Sequence, residues 1–151
     1  ALFALVLTEY GDGIDVIRVL TMLLVHDIVE IDAGDTFVYD TERQKDKQRR
    51  EQQAADRLFA LLPSDQATFL RSAWDEFEAR NTPEALFANA VDRLQPLIHN
   101  GRTGGHVWRK HGITVDQVYG INRHMSEGAP RLWQFARDLI DQAAARGELA
   151  R

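Results

Sequence analysis

The sequence predicts an all-α fold, and three of its features carry that prediction. Apolar residues recur at the three-and-four spacing of a helix along most of the chain, and helix-capping residues precede the apolar stretches. No segment of useful length alternates apolar with polar residues, as a half-buried strand would. With 151 residues, of which 44% are hydrophobic and 27% charged, the chain is long enough for one hydrophobic core. We expect residues 1–151 to form a single helical bundle of about six or seven helices.

The first part of the chain predicts an N-terminal helix followed by a central one. Residues 2–7 are apolar in a helical pattern with no capping residue before them, so we expect the chain to begin within a helix. After a glycine-containing turn at residues 11–13, Asp15 can cap a helix that runs to about Ile31. This helix is apolar on most faces, which is typical of a central, buried helix. Gly34 is expected to end it.

Two further helices are expected in the middle of the chain. Thr41 has the position of an N-cap for a polar helix over residues 42–62, and Pro63 stops that helix because proline has no backbone N–H to donate. Ser64 is expected to cap a helix that runs to about Arg80. Apolar residues form a stripe along that helix, at Phe69, Leu70, Ala73, Trp74 and Phe77.

The last part of the chain predicts three more helices and one loop. Thr82 followed by Pro83 is a strong helix start, since proline at the first helical position loses no hydrogen bond. Residues 99–105 are expected to form a flexible loop. Thr114 can cap the next helix, and residues 129–149 form a terminal one. The helix after Thr82 is expected to direct seven apolar residues inward: Leu86, Phe87, Ala90, Val91, Leu94, Leu97 and Ile98.

Composition narrows the class of protein and of site. The absence of cysteine excludes disulfides, thiolate catalysis and cysteine-built zinc sites, and agrees with a cytoplasmic location. A net charge of −5 argues against nucleic acid as a partner, because nucleic-acid-binding domains usually carry a basic surface. No apolar run reaches the roughly 20 residues that span a bilayer, so no membrane partner is expected. Any metal in this chain must use histidine and carboxylate ligands.

A histidine and two carboxylates interrupt the apolar pattern of the predicted central helix. His26 and Glu30 are four residues apart and share a helical face, while Asp27 lies about 100° around the axis from His26. Buried carboxylates require a cation or hydrogen bonds, so this grouping indicates a divalent metal. The alternative is a hydrogen-bonded core histidine beside carboxylates that face water. An acidic run without Lys or Arg over residues 27–42 favours the cation site.

Other charged residues give weaker indications. Five basic residues within residues 43–51 form either a solvated helix face or a surface that steers an anionic substrate, and spacing selects no single one of them. Asp92 lies between Val91 and Leu94 on an apolar helix, where a carboxylate needs a partner. The remaining histidines are expected in surface segments: His99, His106, His111 and His124.

The stretch HDIVEIDAGD resembles the HD-domain superfamily of metal-dependent phosphohydrolases, and within it the 5'-deoxynucleotidase branch. That branch has a His-Asp pair, a glutamate three residues later and a Gly-Asp at the helix end. The later stretches RREQQAADRLFALLP and EALFANAVDRLQPLI are also similar to it, and in the branch the second of these supplies a distal aspartate ligand. The matching residues here are His26, Asp27, Glu30, Gly34 and Asp35 near the start, and Asp92 in the later stretch.

The resemblance implies an activity and a division of roles. His26, Asp27 and Asp92 would bind one divalent cation, which could be Mn, Co, Mg, Fe or Zn. Glu30 would move protons, and Asp35 would hold a sugar hydroxyl or orient the nucleophile. The implied reaction is hydrolysis of (deoxy)nucleoside 5'-monophosphates, a small-molecule substrate. The alternatives are a nucleotide pyrophosphohydrolase, a cyclic-nucleotide phosphodiesterase or a non-catalytic nucleotide-binding module.

Two expectations concern what lies outside the core of a single chain. The family pattern includes a further histidine ligand and, still earlier, a phosphate-binding arginine with an adjoining aromatic residue. All of these would lie upstream of residue 1, so we expect the domain to lack its N-terminal helix or part of it here.

A homodimer is expected because the chain has more large aromatic residues than a small core needs, namely Trp74, Phe77, Trp108 and Trp133.

Overall fold

A computed structural model describes residues 1–150 and is all-α, as predicted. Within those residues the only β-type pairing is an isolated parallel bridge between Thr114 and Ala150. The expected number of helices is wrong, because several predicted helices are divided into shorter segments. The segments are α1 (Leu2–Val6), α2 (Val16–Val25), α3 (Glu30–Ala33), α4 (Thr41–Gln44), α5 (Lys47–Phe59), α6 (Ser64–Ala79), α7 (Pro83–Arg102), α8 (His106–His111), α9 (Val115–Asn122), α10 (Met125–Gly128) and α11 (Pro130–Ala145), with 3-10 turns at Thr8–Tyr10 and His26–Val29.

The predicted central helix starts where expected but does not continue unbroken to Ile31. Asp15 caps α2 by accepting hydrogen bonds from the backbone N–H groups of Ile17 and Arg18, at 2.9 and 3.2 Å. The helix then tightens into the 3-10 turn at residues 26–29 before α3 begins. Nor is it buried on all sides, because α6 and α7 pack against α2 while Ile17 and Leu24 remain 71% and 65% exposed.

The polar helix expected over residues 42–62 is divided at Asp46. Asp40, rather than Thr41, caps the first segment by accepting a hydrogen bond from the Arg43 backbone N–H at 3.1 Å. Asp46 leaves the helical conformation at φ −116° and ψ 4°, and its carboxylate pairs with Arg50 on the next turn. The chain has no glycine or proline at this break, so the sequence gives no signal for it.

The helices that follow differ from prediction mainly at their ends. Ser64 is the first residue of α6 and accepts no capping hydrogen bond, since the N-cap position belongs to Pro63. Thr82 does cap α7, and its hydroxyl accepts from the Ala85 N–H at 3.2 Å. The loop expected over residues 99–105 is helical up to Arg102, because α7 continues through Pro96.

α7 is the centre of the bundle, with α2, α6, α10 and α11 packed around it. Its buried side chains belong to one continuous apolar core. Trp74, Phe77 and Trp108 are buried in that core, and Trp133 packs against it. These aromatic residues therefore stabilise the chain itself and give no support to a dimer surface. No helix within residues 1–150 is long and apolar enough to cross a membrane.

Candidate metal and phosphate site

The end of α2 and the middle of α7 bring His26 together with two carboxylates. His26 Nε2 lies 2.9 Å from Asp27 Oδ1 and 3.3 Å from Asp92 Oδ1. The imidazole is held in place from its other side, where Nδ1 contacts the Leu23 carbonyl oxygen at 3.2 Å and Phe77 packs at a ring-centroid distance of 4.5 Å. Packing of α2 on α7 thus joins the local His-Asp pair to the distant aspartate.

The three side chains form a charged cluster. Burial acts to lower the pKa of His26, but hydrogen bonds to Asp27 and Asp92 outweigh it and raise that pKa to about 9. Burial acts to raise the pKa of Asp92, but the contacts with His26 and Arg93 outweigh it and lower that pKa to about 2. At neutral pH His26 is therefore an imidazolium that donates to two carboxylates.

The chemistry of this donor set fits a divalent cation. One imidazole nitrogen and two carboxylate oxygens are ligands that Mn, Fe, Co, Zn and Mg accept in proteins. Within residues 1–150, no three His, Cys, Asp or Glu side chains are already arranged around a common point as bound ligands would be. The proton on His26 Nε2 is donated to both carboxylates. A cation must therefore displace that proton to bind here.

Glu30 begins α3 and lines the same cavity as His26, Asp27 and Asp92. Burial raises the pKa of Glu30 to about 7, with help from the nearby charges of Asp35, Asp27 and Glu51 and against the opposing charge of Lys47. A carboxyl group with this pKa exchanges its proton near neutral pH, which suits a general base or acid.

Asp35 reaches the cavity from the segment that follows α3. Gly34 turns the chain there with φ 74°, a left-handed conformation that glycine adopts without strain. Arg50 then ties the segment to α5: its guanidinium donates to the Ala33 carbonyl oxygen and, at 2.8 Å, to the Thr36 hydroxyl. The result is one cavity of about 420 Å³ whose wall includes all five predicted site residues: His26, Asp27, Glu30, Asp35 and Asp92.

The cavity has a basic wall that consists of Lys47, Arg80 and Arg93. Sequence reasoning considered the basic run that contains Lys47 but missed Arg80 and Arg93. Lys47 belongs to the basic run, and its Nζ lies 2.9 Å from Glu51 Oε2. Arg93 follows Asp92 in the chain and pairs with it at 2.9 Å. Arg80 caps the end of α6 in a left-handed conformation with φ 48°. These three basic residues come from separate helices and are brought together only by tertiary packing. One signal for them was present in the sequence, because Arg93 directly follows Asp92.

The later histidines divide into two groups. His99, His106 and His111 are exposed and lie outside this cavity. His106 and His111 begin and end α8 rather than a surface loop, because Trp108 between them anchors the segment in the core with only 2% of its surface exposed. His124 is half-buried and lines the cavity, so its expected surface position is wrong.

Comparison with known proteins places these features in a family context. The sequence profile of the HD domain family matches residues 1–133. The bovine 5'-deoxynucleotidase HDDC2 is 33% identical over 81 residues, covering 54% of this chain and 40% of that protein. The human 5'-deoxynucleotidase HDDC2 is 31% identical over 98 residues, covering 65% of this chain and 47% of that protein. This chain thus spans less than half the length of these curated relatives.

A solved structure is similar over nearly the whole chain. It belongs to a predicted metal-dependent phosphohydrolase from Magnetospirillum magnetotacticum MS-1, with a TM-score of 0.94 and 49% sequence identity. The match covers 99% of this chain and 76% of the other one. At 49% sequence identity, the two chains share about half of their aligned residues as well as the arrangement of their helices.

Proposed function

The chain belongs to the HD domain family, and from that premise we propose that it hydrolyses deoxynucleoside 5'-monophosphates to nucleoside and phosphate with a divalent cation. The observation that carries the proposal is the contact of His26 Nε2 with carboxylates from two separate elements, in a cavity that also has a basic wall. The names of the bovine and human relatives support the class of substrate.

His26, Asp27 and Asp92 are the residues that would hold the cation, and their nitrogen and oxygen donors are compatible with Mn, Co, Mg, Fe or Zn. When bound, the cation supplies positive charge to the phosphate and makes a water molecule more acidic. Asp27 is largely exposed and Asp92 is partly buried, so the two carboxylates that would hold the cation belong to the open and the closed side of the cavity.

Glu30 is the proposed proton-transfer group. Its carboxylate accepts a proton from the attacking water, and its carboxyl form can return a proton to the 5'-oxygen that leaves. The pKa of about 7 populates both forms at neutral pH before a cation binds. Asp35, on the segment that Arg50 holds, is placed to accept a hydrogen bond from a sugar hydroxyl or from the attacking water.

Lys47, Arg80 and Arg93 are the proposed phosphate-binding groups. A nucleoside monophosphate is an anion, and the acidic side of the cavity would repel it without a compensating positive charge. The guanidinium of Arg93 lies beside Asp92, so it can contact phosphate oxygens close to the cation ligands.

A substrate panel tests the proposal. Purified protein is supplied in turn with Mn²⁺, Co²⁺, Mg²⁺, Fe²⁺ or Zn²⁺, and phosphate release is measured from deoxynucleoside and ribonucleoside 5'-monophosphates, triphosphates and cyclic nucleotides. Release confined to 5'-monophosphates, and faster for the deoxy compounds, is the expected result. Pyrophosphate release from triphosphates or opening of cyclic phosphates would contradict it, and nucleotide binding without turnover would indicate a non-catalytic module.

A further inference from the structure

A second cavity, of about 470 Å³, adjoins the candidate metal and phosphate site. Asp35, Thr36 and Arg93 belong to the walls of both cavities, so the two lie side by side at these residues. The second cavity has a mainly apolar lining, and we call it the aromatic cavity. Its apolar wall includes Phe37, Tyr39, Pro96, Leu97, Val107 and Trp108.

We propose that the aromatic cavity receives the nucleobase of the substrate; this inference rests on the proposed function. A nucleoside monophosphate has a charged end and a flat, largely apolar end joined by a sugar, and the two adjoining cavities have the same polarity and order. The aromatic cavity has the size, roughly 300–1,000 Å³, of sites for small organic ligands. Asp35 and Thr36, at the boundary, lie where the sugar would pass.

The walls of the aromatic cavity offer flat surfaces for a base. Phe37 contacts the Tyr39 ring edge to face at a centroid distance of 5.3 Å, and the His111 ring at 4.8 Å. Trp108 is fixed in the core, so its part of the wall is already in position before a ligand binds. Stacking on aromatic side chains stabilises any nucleobase, since every base has a π-face.

A buried amide in the wall of the cavity has an unused acceptor. Asn100 is only 7% exposed and lines the cavity. Its Nδ2 donates to the Pro96 carbonyl oxygen at 3.0 Å, whereas its Oδ1 has no hydrogen-bond partner within residues 1–150. A buried acceptor without a partner is unfavourable, and because this oxygen has almost no exposed surface, an N–H group of a bound ligand would relieve that cost once the amide turns toward the cavity. Adenine, cytosine, guanine and thymine each carry such a donor at the base edge.

The inference is tested by binding of deoxyadenosine, which has the base and the sugar but no phosphate and needs no metal. Titration calorimetry, together with tryptophan fluorescence as a reporter for Trp108, measures its dissociation constant for the full chain. Asn100→Leu removes the acceptor and should weaken binding about 3- to 10-fold. Val107→Phe narrows the cavity without touching that amide and should weaken binding roughly 10-fold or more. Gln142→Leu, an exposed amide change on α11, is the matched control and should leave binding unchanged.

Circular dichroism establishes that each variant is folded, and Val107→Phe keeps the test decisive if Asn100→Leu does not fold. Absence of deoxyadenosine binding to the unmodified protein at millimolar concentration overturns the inference, and so does equal binding by Val107→Phe. The proposed function is scored separately, by phosphate release from deoxyadenosine 5'-monophosphate with metal. Turnover without nucleoside binding rejects the base site alone, whereas nucleoside binding without turnover rejects the hydrolysis alone.

Discussion

His26 Nε2 lies 3.3 Å from Asp92 Oδ1, across the contact between the end of α2 and the middle of α7. This contact joins two parts of the chain that are far apart in sequence. Its charge state links metal binding to pH, because the proton on the imidazole occupies the position of a metal–nitrogen bond.

Metal affinity should therefore increase with pH. The pKa of His26 is raised to about 9, so the imidazole is protonated below that pH and a cation must displace the proton. We expect the association constant for Mn²⁺ to rise about tenfold per pH unit from pH 6.5 toward 9 and to level off above it. Calorimetry in buffers of different ionisation enthalpy should show release of about one proton per Mn²⁺ at pH 7. An affinity independent of pH would contradict the assignment of His26 as a ligand.

Substitution Asp92→Asn should weaken metal binding by roughly 100-fold or more, because a neutral amide replaces a ligand carboxylate. The pKa of His26, followed by NMR in the metal-free protein, should fall toward its ordinary value, since one of the two carboxylates that raise it is lost. Asp138→Asn, an exposed change on α11, is the control and should alter neither quantity. Unchanged metal stoichiometry in Asp92→Asn would locate the metal elsewhere.

Substitution Glu30→Gln should lower kcat by about 10²- to 10⁴-fold and leave metal affinity within a few-fold of the original. The amide keeps the shape of the side chain but cannot accept the proton. The pKa of Glu30 is raised to about 7, so the base form of the unmodified protein increases as pH rises through 7. A bound cation should shift this midpoint downward by offsetting the negative charge of Asp27. Full turnover in Glu30→Gln would assign proton transfer to another group.

Substitution Arg50→Ala should destabilise the chain by about 1–3 kcal/mol, because the buried Thr36 hydroxyl and the Ala33 carbonyl oxygen lose a charged donor. Chemical denaturation measures this loss, and a fall in turnover should accompany it because Asp35 lies on the segment that Arg50 holds. Arg49→Ala, next to it but 68% exposed, removes the same charge from the same helix and should cost far less. Equal destabilisation by both variants would show that charge alone is responsible.

The part of the site that lies close together in sequence was predictable, and the part assembled by packing was not. His26, Asp27 and Glu30 stand out because they interrupt an apolar pattern, and all three line one cavity although the α-helix changes to a 3-10 turn there. Asp92 alone gave a weak signal, and its role was implied only by family resemblance. Lys47 and Arg80 come from α5 and α6, and no spacing rule relates residues on different helices.

The errors in the fold have a similar origin. The breaks at His26 and Asp46 occur without glycine or proline, the residues by which a sequence usually signals a break. Trp108 explains why a glycine-flanked segment is helical: burial of a large aromatic side chain stabilises a short helix that would not form by itself. The caps at Asp15 and Thr82 were predicted correctly, whereas the cap expected at Thr41 is provided by Asp40.

The short connection between α3 and α4 has a consequence for how the two ends of a nucleotide influence each other. Its first residues, Asp35 and Thr36, line both cavities, and its next ones, Phe37 and Tyr39, line the aromatic cavity. A ligand that occupies both cavities would brace this connection against α7, whereas phosphate or nucleoside alone would leave one side of it without support. Amide hydrogen exchange over residues 35–40 should therefore slow more with a whole nucleotide than the separate effects of phosphate and of nucleoside add up to. In that case, binding of the phosphate end would strengthen binding of the nucleoside end, and the reverse, because both stabilise the same segment.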